Sequence, residues 1–232
     1  MISLDMKYLL LSHCFIRNTN ELGKIKIFNS VIQYFRSNYK DIFIVVTGHG
    51  IPVDGIIGAD HIIWLDLIES ELGKGHPICV KRGLSYLKKH GALNILKMRL
   101  DSLSVRDDIF EYCSDVLRKE NTLCLVTAQT DVDTRIGDLF LYGDINFLLS
   151  IWTPETWGTD TDGCFSLMKN FKNRYTDKNF KEVFSYRDVC TLRWLLIQNV
   201  IPHDELKDNY GNYLWDNFHE SLITEEYYYD KR

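Results

Sequence analysis

The feature that most narrows the choice of fold is an alternation between short apolar runs and stretches of helical periodicity through the first two-thirds of the chain. Tyr8 to Ile16 is nearly continuous apolar sequence, the pattern of a strand covered on both faces. Asn18 and Glu21 then form a capping-box-like helix start, and Ile25, Phe28, Ile32 and Phe35 follow at the spacing of one buried helical face. Ile42 to Thr47, closed by Gly48-His49-Gly50, reads as a second parallel strand, and His61 to Leu65, closed by Asp66, as a short third. Pro77 sits near the start of another helix, with apolar Ile78, Leu84 and Leu87 and a basic end at Lys88, Lys89 and His90 before Gly91. A strand from Asn94, a helix around Asp107 to Arg118, and strands over Leu123 to Thr127 and Arg135 to Tyr142 complete the alternation. Asp144 is placed to cap a helix from Asn146 to Trp152. Such an order predicts an α/β fold, a central, mostly parallel twisted sheet flanked by helices.

Beyond Trp152 strands become scarce, and helical stretches are expected around Phe165 to Tyr175 and Tyr186 to Asn199. A chain of 232 residues can bury a full core without disulfides or a structural metal. It reads as a single domain over 1–232, an α/β core at 1–152 followed by a helical C-terminal portion at 153–232. The net charge of -5 leaves no basic face for a nucleic-acid backbone, so nucleic acid is not expected as a partner. Six cysteines without a CxxC pair, mostly inside apolar runs, suit reduced core thiols and a cytoplasmic protein. The opening run carries Asp5 and Lys7 and is too short to span a bilayer, so it reads as the first strand and any membrane contact would be peripheral.

The candidate chemistry gathers where the strand from Asn94 ends in Lys97, Arg99 and Asp101. Open α/β sheets bind ligands in the crevice outside the carboxyl ends of their strands. There Asp101 could hold a divalent cation together with diphosphate oxygens, or could simply cap the next turn. Arg99, two residues earlier on the same face, suits an anion. Lys81 and Arg82, early in the preceding helix, oppose its dipole, which a phosphate or plain solvation would explain. Asp138 lies in an otherwise apolar, glycine-bounded run, where a carboxylate has either a hydrogen-bonded structural role or a catalytic one. The Asp131/Asp133 and Asp160/Asp162 triplets and His219 are weaker candidates for metal or phosphate contact. Glycine-rich phosphate loops and the Gly-x-Ser-x-Gly elbow are absent, which removes the usual support for P-loop NTPases, dinucleotide oxidoreductases and serine hydrolases.

Taken in order, Asn29-Ser-Val-Ile-Gln-Tyr-Phe35, Gly58-Ala-Asp-His-Ile-Ile63, Lys81-Arg-Gly-Leu-Ser-Tyr-Leu87 and Leu96-Lys-Met-Arg-Leu-Asp101 resemble the WavE-type lipopolysaccharide-synthesis glycosyltransferases. So do Gly137-Asp-Leu-Phe-Leu-Tyr-Gly143 and Phe147-Leu-Leu-Ser-Ile-Trp152, and the resemblance fades in the C-terminal third. It implies a GT-A-like fold, a nucleotide-diphospho-sugar donor and a glycan or glycolipid acceptor. It also implies Asp101 with Mg2+ or Mn2+ at the diphosphate, Arg99 and Lys81 adding positive charge, Ser12 and Arg17 near the nucleotide, and Asp138 as base or acceptor clamp. Where many GT-A enzymes carry Asp-x-Asp, this chain has Arg99-Leu100-Asp101. A non-catalytic sugar- or nucleotide-sugar-binding protein and a sugar nucleotidyltransferase are the rival readings.

Overall fold

The computed structural model describes residues 6–66, 75–100, 103–104, 108–127, 136–138, 140–154, 163–178, 184–187 and 191–192. The strands are β1 (Lys7–Ile16), β2 (Ile42–Gly50), β3 (His61–Leu65), β4 (Asn94–Arg99), β5 (Leu103–Ser104), β6 (Cys124–Thr127), β7 (Phe140–Asp144), β8 (Phe184–Arg187) and β9 (Thr191–Leu192). The helices are α1 (Lys24–Asn38), α2 (Gly75–Lys89), α3 (Ile109–Glu120), α4 (Ile145–Ile151) and α5 (Gly163–Arg174). Among the described residues, seven strands form one sheet in the order β3-β2-β1-β4-β7-β6-β8, and β5 pairs with β9 apart from it. Every neighbouring pair in the sheet is parallel except the two made by β7, so the expected mostly parallel α/β sheet is what the chain forms.

β1 lies between β2 and β4 and is covered on both faces, as its continuous apolar run requires. Leu9 and Leu11 point into a core shared with α1 and α3, including Phe28, Val31, Ile32, Phe35 and Phe110. Tyr8 and Leu10 point into the opposite core with Val80, Leu84 and Leu87 of α2 and with residues of α4 and α5. The molecule is therefore a sheet between two helical layers. Gly83 lets α2 lie flat on the sheet, because a Cβ there would stand 2.5 Å from Leu10 Cδ1 and 2.8 Å from Thr47 Cγ2. Cys79, Cys113 and Cys124 are buried free thiols, and burial with Cys113 nearby pushes the Cys124 thiol well up.

The start of α1 departs from the expected capping box. A 3-10 turn over Thr19–Gly23 precedes the helix, and the Glu21 carboxylate accepts from the Arg17 backbone N–H at 2.7 Å. Lys24 then donates to the Phe15 carbonyl, fixing the end of β1. Two motif residues behind the family resemblance serve the architecture. Asn29 bonds the Gly55 carbonyl and the Ile57 N–H, and Asp60 accepts from Ile44 N–H and pairs with Arg36, so both clamp the β2–β3 connection onto α1.

Two expectations are corrected. The strand expected over Arg135 to Tyr142 runs instead from Phe140 to Asp144, leaving Asp138 in a bend before it. The C-terminal portion is not wholly helical: α5 matches the first expected helix, but Phe184–Arg187 is a strand that joins β6 at the sheet edge, and Thr191–Leu192 pairs with β5. The ladder hydrogen bonds offered by β6 outweigh a weak local helical pattern there. Asp107, Asp131, Asp133, Arg135, Asp160, Asp162, His219 and residues 193–232 lie outside the described residues. No helix among the described residues is long and apolar enough to cross a membrane.

Asp144 does cap α4, its carboxylate accepting from Phe147 N–H at 2.8 Å. Replacing it with alanine should lower stability by about 1 kcal/mol, while Asp144→Asn should retain most of the cap. Denaturant titration of the two variants checks this; equal loss in both would show that the charge, not the cap, matters.

Candidate active site

The chain passes from β1 through α1 to β2 and β3 on one side, and returns through α2 to place β4 on the other side of β1. The carboxyl ends of β1 and β4 thus flank the point where the winding reverses, the usual ligand crevice of an open α/β sheet. Ser12 and Arg99 are register partners at that point. Along β4, Leu96 and Met98 enter the α1/α3 core, while Ile95 lies in the α2/α4 core; Lys97 and Arg99 share the face of Ile95.

Lys97 is only 1% exposed. Burying an ammonium is costly unless partners replace its water. Here it donates to the main-chain carbonyl of Asp138 and lies 5.0 Å from the centre of the Trp152 ring. The antiparallel register supplies that carbonyl: Phe140 pairs with Met98, so the segment two residues upstream falls just past the carboxyl end of β4. The Asp138 carboxylate faces the α2 imidazole of His76, with Oδ2 3.8 Å from Nε2, and both side chains are largely buried. Trp152 stands edge-on to His76 with ring centres 5.3 Å apart. An ammonium, a carboxylate and an imidazole from three separate segments therefore meet inside an otherwise apolar layer, one strand step from Arg99.

The other expected residues lie differently. Ser12 is fully buried, and its hydroxyl donates to the Met98 carbonyl at 3.3 Å, stitching β1 to β4. Arg17 is half exposed, pairs with Glu21 and lies over the Phe15 ring. Lys81 is half buried on α2 outside the stripe formed by His76, Cys79, Val80, Gly83, Leu84 and Leu87. Arg99 is half buried at the end of β4, and Asp101 lies outside the described residues. Among the described residues no group of three or more His, Cys, Asp or Glu side chains could hold a metal ion. Of the described groups at this edge the Arg99 guanidinium suits phosphate oxygens, Lys97 being buried against the Asp138 carbonyl, so the expected Mg2+ or Mn2+ rests on Asp101.

Sequence reasoning did not single out His76, Trp152, Phe15 or His49. Phe15 and His49 stack at 4.4 Å at the carboxyl ends of β1 and β2. An irregularity between Leu11 and Cys14 puts Phe15 on the face that His49 occupies. Just beyond, Gly50 has φ +124 and a Cβ there would stand 1.9 Å from the Ile16 carbonyl oxygen, so only glycine closes this end of the two strands. The sole sequence signal for His76 was its place before Pro77 at a helix start.

No protein-family model matches the chain, and no curated protein matches it. Solved structures do. A protein described as a nucleotide-diphospho-sugar transferase from Desulfovibrio desulfuricans is 10% identical with a TM-score of 0.47, covering 78% of this chain and 80% of that one. A cytidylyltransferase from Leptospira borgpetersenii is 11% identical with a TM-score of 0.48, covering 82% of each chain. The galactosyltransferase LgtC, solved with donor and acceptor sugar analogues, is 12% identical with a TM-score of 0.45, covering 78% of this chain and 73% of its own. At identities this low no residue correspondence follows from them.

Burial pushes the His49 imidazole down to about 4. An unfolded histidine titrates near about 6.5, so between about pH 6.5 and 4 the unfolded chain binds more protons and stability falls as the pH drops. His49→Phe keeps a ring against Phe15 and removes that titration. Its stability should fall less than the wild type's across this window, by up to about 3 kcal/mol. Melting curves at closely spaced pH values check this; parallel slopes for the two proteins would remove His49 from the acid limb.

Proposed function

We propose that this chain is a glycosyltransferase that moves a sugar from a nucleotide-diphospho-sugar donor to a glycan or glycolipid acceptor of the lipopolysaccharide or surface-polysaccharide type. The observation that carries the reading is the fixing of Asp138 by buried Lys97 just past the carboxyl end of β4, one strand step from Arg99 at the winding reversal. A donor seated there would offer its diphosphate to Arg99 and its sugar toward Asp138. The WavE-type resemblance of the sequence motifs supports the same assignment.

Over the reaction the acceptor oxygen bonds to the anomeric carbon, and the bond from that carbon to the diphosphate oxygen breaks with its electron pair leaving on the diphosphate. Asp138 takes the hydroxyl proton. Arg99 offers a planar fork to the departing diphosphate oxygens, which gather charge as the bond breaks. Lys97, closed off from solvent, holds the Asp138 backbone in place. Ser12 keeps β1 and β4 in register beneath the donor, and Arg17 and Lys81 would contribute from the rim. Asp101, two residues beyond Arg99 in sequence, is the residue assigned to a divalent cation, which would supply further charge to the diphosphate.

Incubation with a panel of nucleotide sugars tests the proposal: donor hydrolysis or transfer supports it. Binding without turnover would leave a sugar-nucleotide-binding protein, and release of nucleoside triphosphate on adding pyrophosphate would make the chain a nucleotidyltransferase. Asp138→Asn should bind donor nearly as well as the wild type and lose about 10²–10⁴-fold in turnover. A raised acceptor KM with turnover kept would make Asp138 a clamp, and a large fall in melting temperature with donor binding lost would make it structural.

Asp101→Asn keeps the side-chain shape and removes the charge a cation would need. In thermal-shift measurements with nucleoside diphosphates it should lose the extra stabilisation that Mn2+ confers on the wild type. An unchanged Mn2+ response would displace the metal assignment.

A further inference from the structure

We infer that His76 is the positioning residue for Asp138, an inference that rests on the transferase reading given above. Lys97 holds Asp138 through its main-chain carbonyl. Its carboxylate must also be aimed. His76 presents its imidazole to that carboxylate, with Nε2 3.8 Å from Oδ2. The imidazole cannot easily turn away: it is 9% exposed, sits in the first turn of α2 beside Pro77, and lies edge-on to Trp152, itself fully buried.

The separation is longer than a hydrogen bond, and a shift of about 1 Å would close it, the kind of tightening expected when an apo site takes its substrate. With Nε2–H donating to Oδ2, the second carboxylate oxygen is left to meet the acceptor hydroxyl. Lys97 and His76 thus constrain the two ends of one residue, backbone and side chain. The arrangement also explains why a histidine and a lysine are kept in a layer otherwise built from Val80, Leu84, Leu141, Leu148 and Ile151.

The charged and titratable groups that meet here include Lys97 on β4, Asp138 before β7 and His76 itself on α2, with Arg99 one strand step beyond; the uncharged Trp152 follows α4. Imidazole 15N NMR of the full chain, with the His76 resonance assigned through its loss in His76→Gln, reads the coupling without any substrate. Asp138→Asn should lower the apparent pKa of His76 by about one unit or more, the effect of removing a close opposite charge. An unchanged His76 titration would overturn the pairing. In transfer assays His76→Phe, which keeps a ring against Trp152 and removes the donor, should lose about 10²-fold in turnover with donor affinity unchanged. His76→Gln, which keeps a donor, should recover most of it, whereas equal loss in both with lowered melting temperatures would reduce His76 to packing. If the NMR coupling is found and the wild type turns over no nucleotide sugar, the pairing stands and the transferase reading, with the catalytic role, falls.

Discussion

The parallel pairing of β4 onto β1 is the constraint on which the rest of the structure depends. Parallel neighbours cannot be joined by a tight turn, so the chain must cross the sheet between β3 and β4, and it does so with α2. That crossover sets the N-terminal turn of α2 at the carboxyl end of the strands, which is why His76 reaches the crevice at all. It also makes Arg99 the neighbour of Ser12. β7 then enters beside β4 in the opposite direction, and this reversal carries Asp138 to the same end. With β7 parallel, the segment before it would lie at the far edge of the sheet.

Buried charge supplies the second layer of organisation. Lys97 sits in a position that Ile95 pattern and strand period would assign to an apolar residue, and its ammonium is satisfied by a backbone carbonyl and an aromatic face. The carbonyl that meets it lies just before β7, whose register with β4 runs from Phe140 to Asp144. The contact ties the backbone of Asp138 to the carboxyl end of β4. Elsewhere polar clamps do purely architectural work: Arg36 with Asp60, and Asn29 with the loop at Gly55 and Ile57, tie the β2–β3 connection to α1 and keep the first face of the sheet closed.

These contacts show how far the residues could be read in advance. The family resemblance implied Ser12 near a nucleotide; what its sequence position does not report is that its hydroxyl donates to the Met98 carbonyl, a partner 86 positions away along the chain. Asp138 was expected inside a strand because Leu139 to Tyr142 is apolar, but hydropathy does not report that a lysine side chain has taken its carbonyl. Asp144 was legible as a cap because the helix it serves begins at the next residue. Phe184–Arg187 was not legible as a strand, since its aromatic–polar alternation lasts only four residues and only β6 gives them a ladder.

By itself the sequence determined the alternation of strands and helices, the two-sided burial of β1, the face on which α1 packs, and the presence of Lys97 and Arg99 at one strand end. Those properties depend on residues near one another in the chain, whose side-chain period and cap chemistry act locally. Strand order, the antiparallel entry of β7, the addition of β8 and the meeting of His76, Lys97, Asp138 and Trp152 were decided only by the tertiary structure. Each of these depends on hydrogen-bond register and desolvation between segments tens of residues apart, and no local pattern encodes which distant backbone will satisfy a buried ammonium.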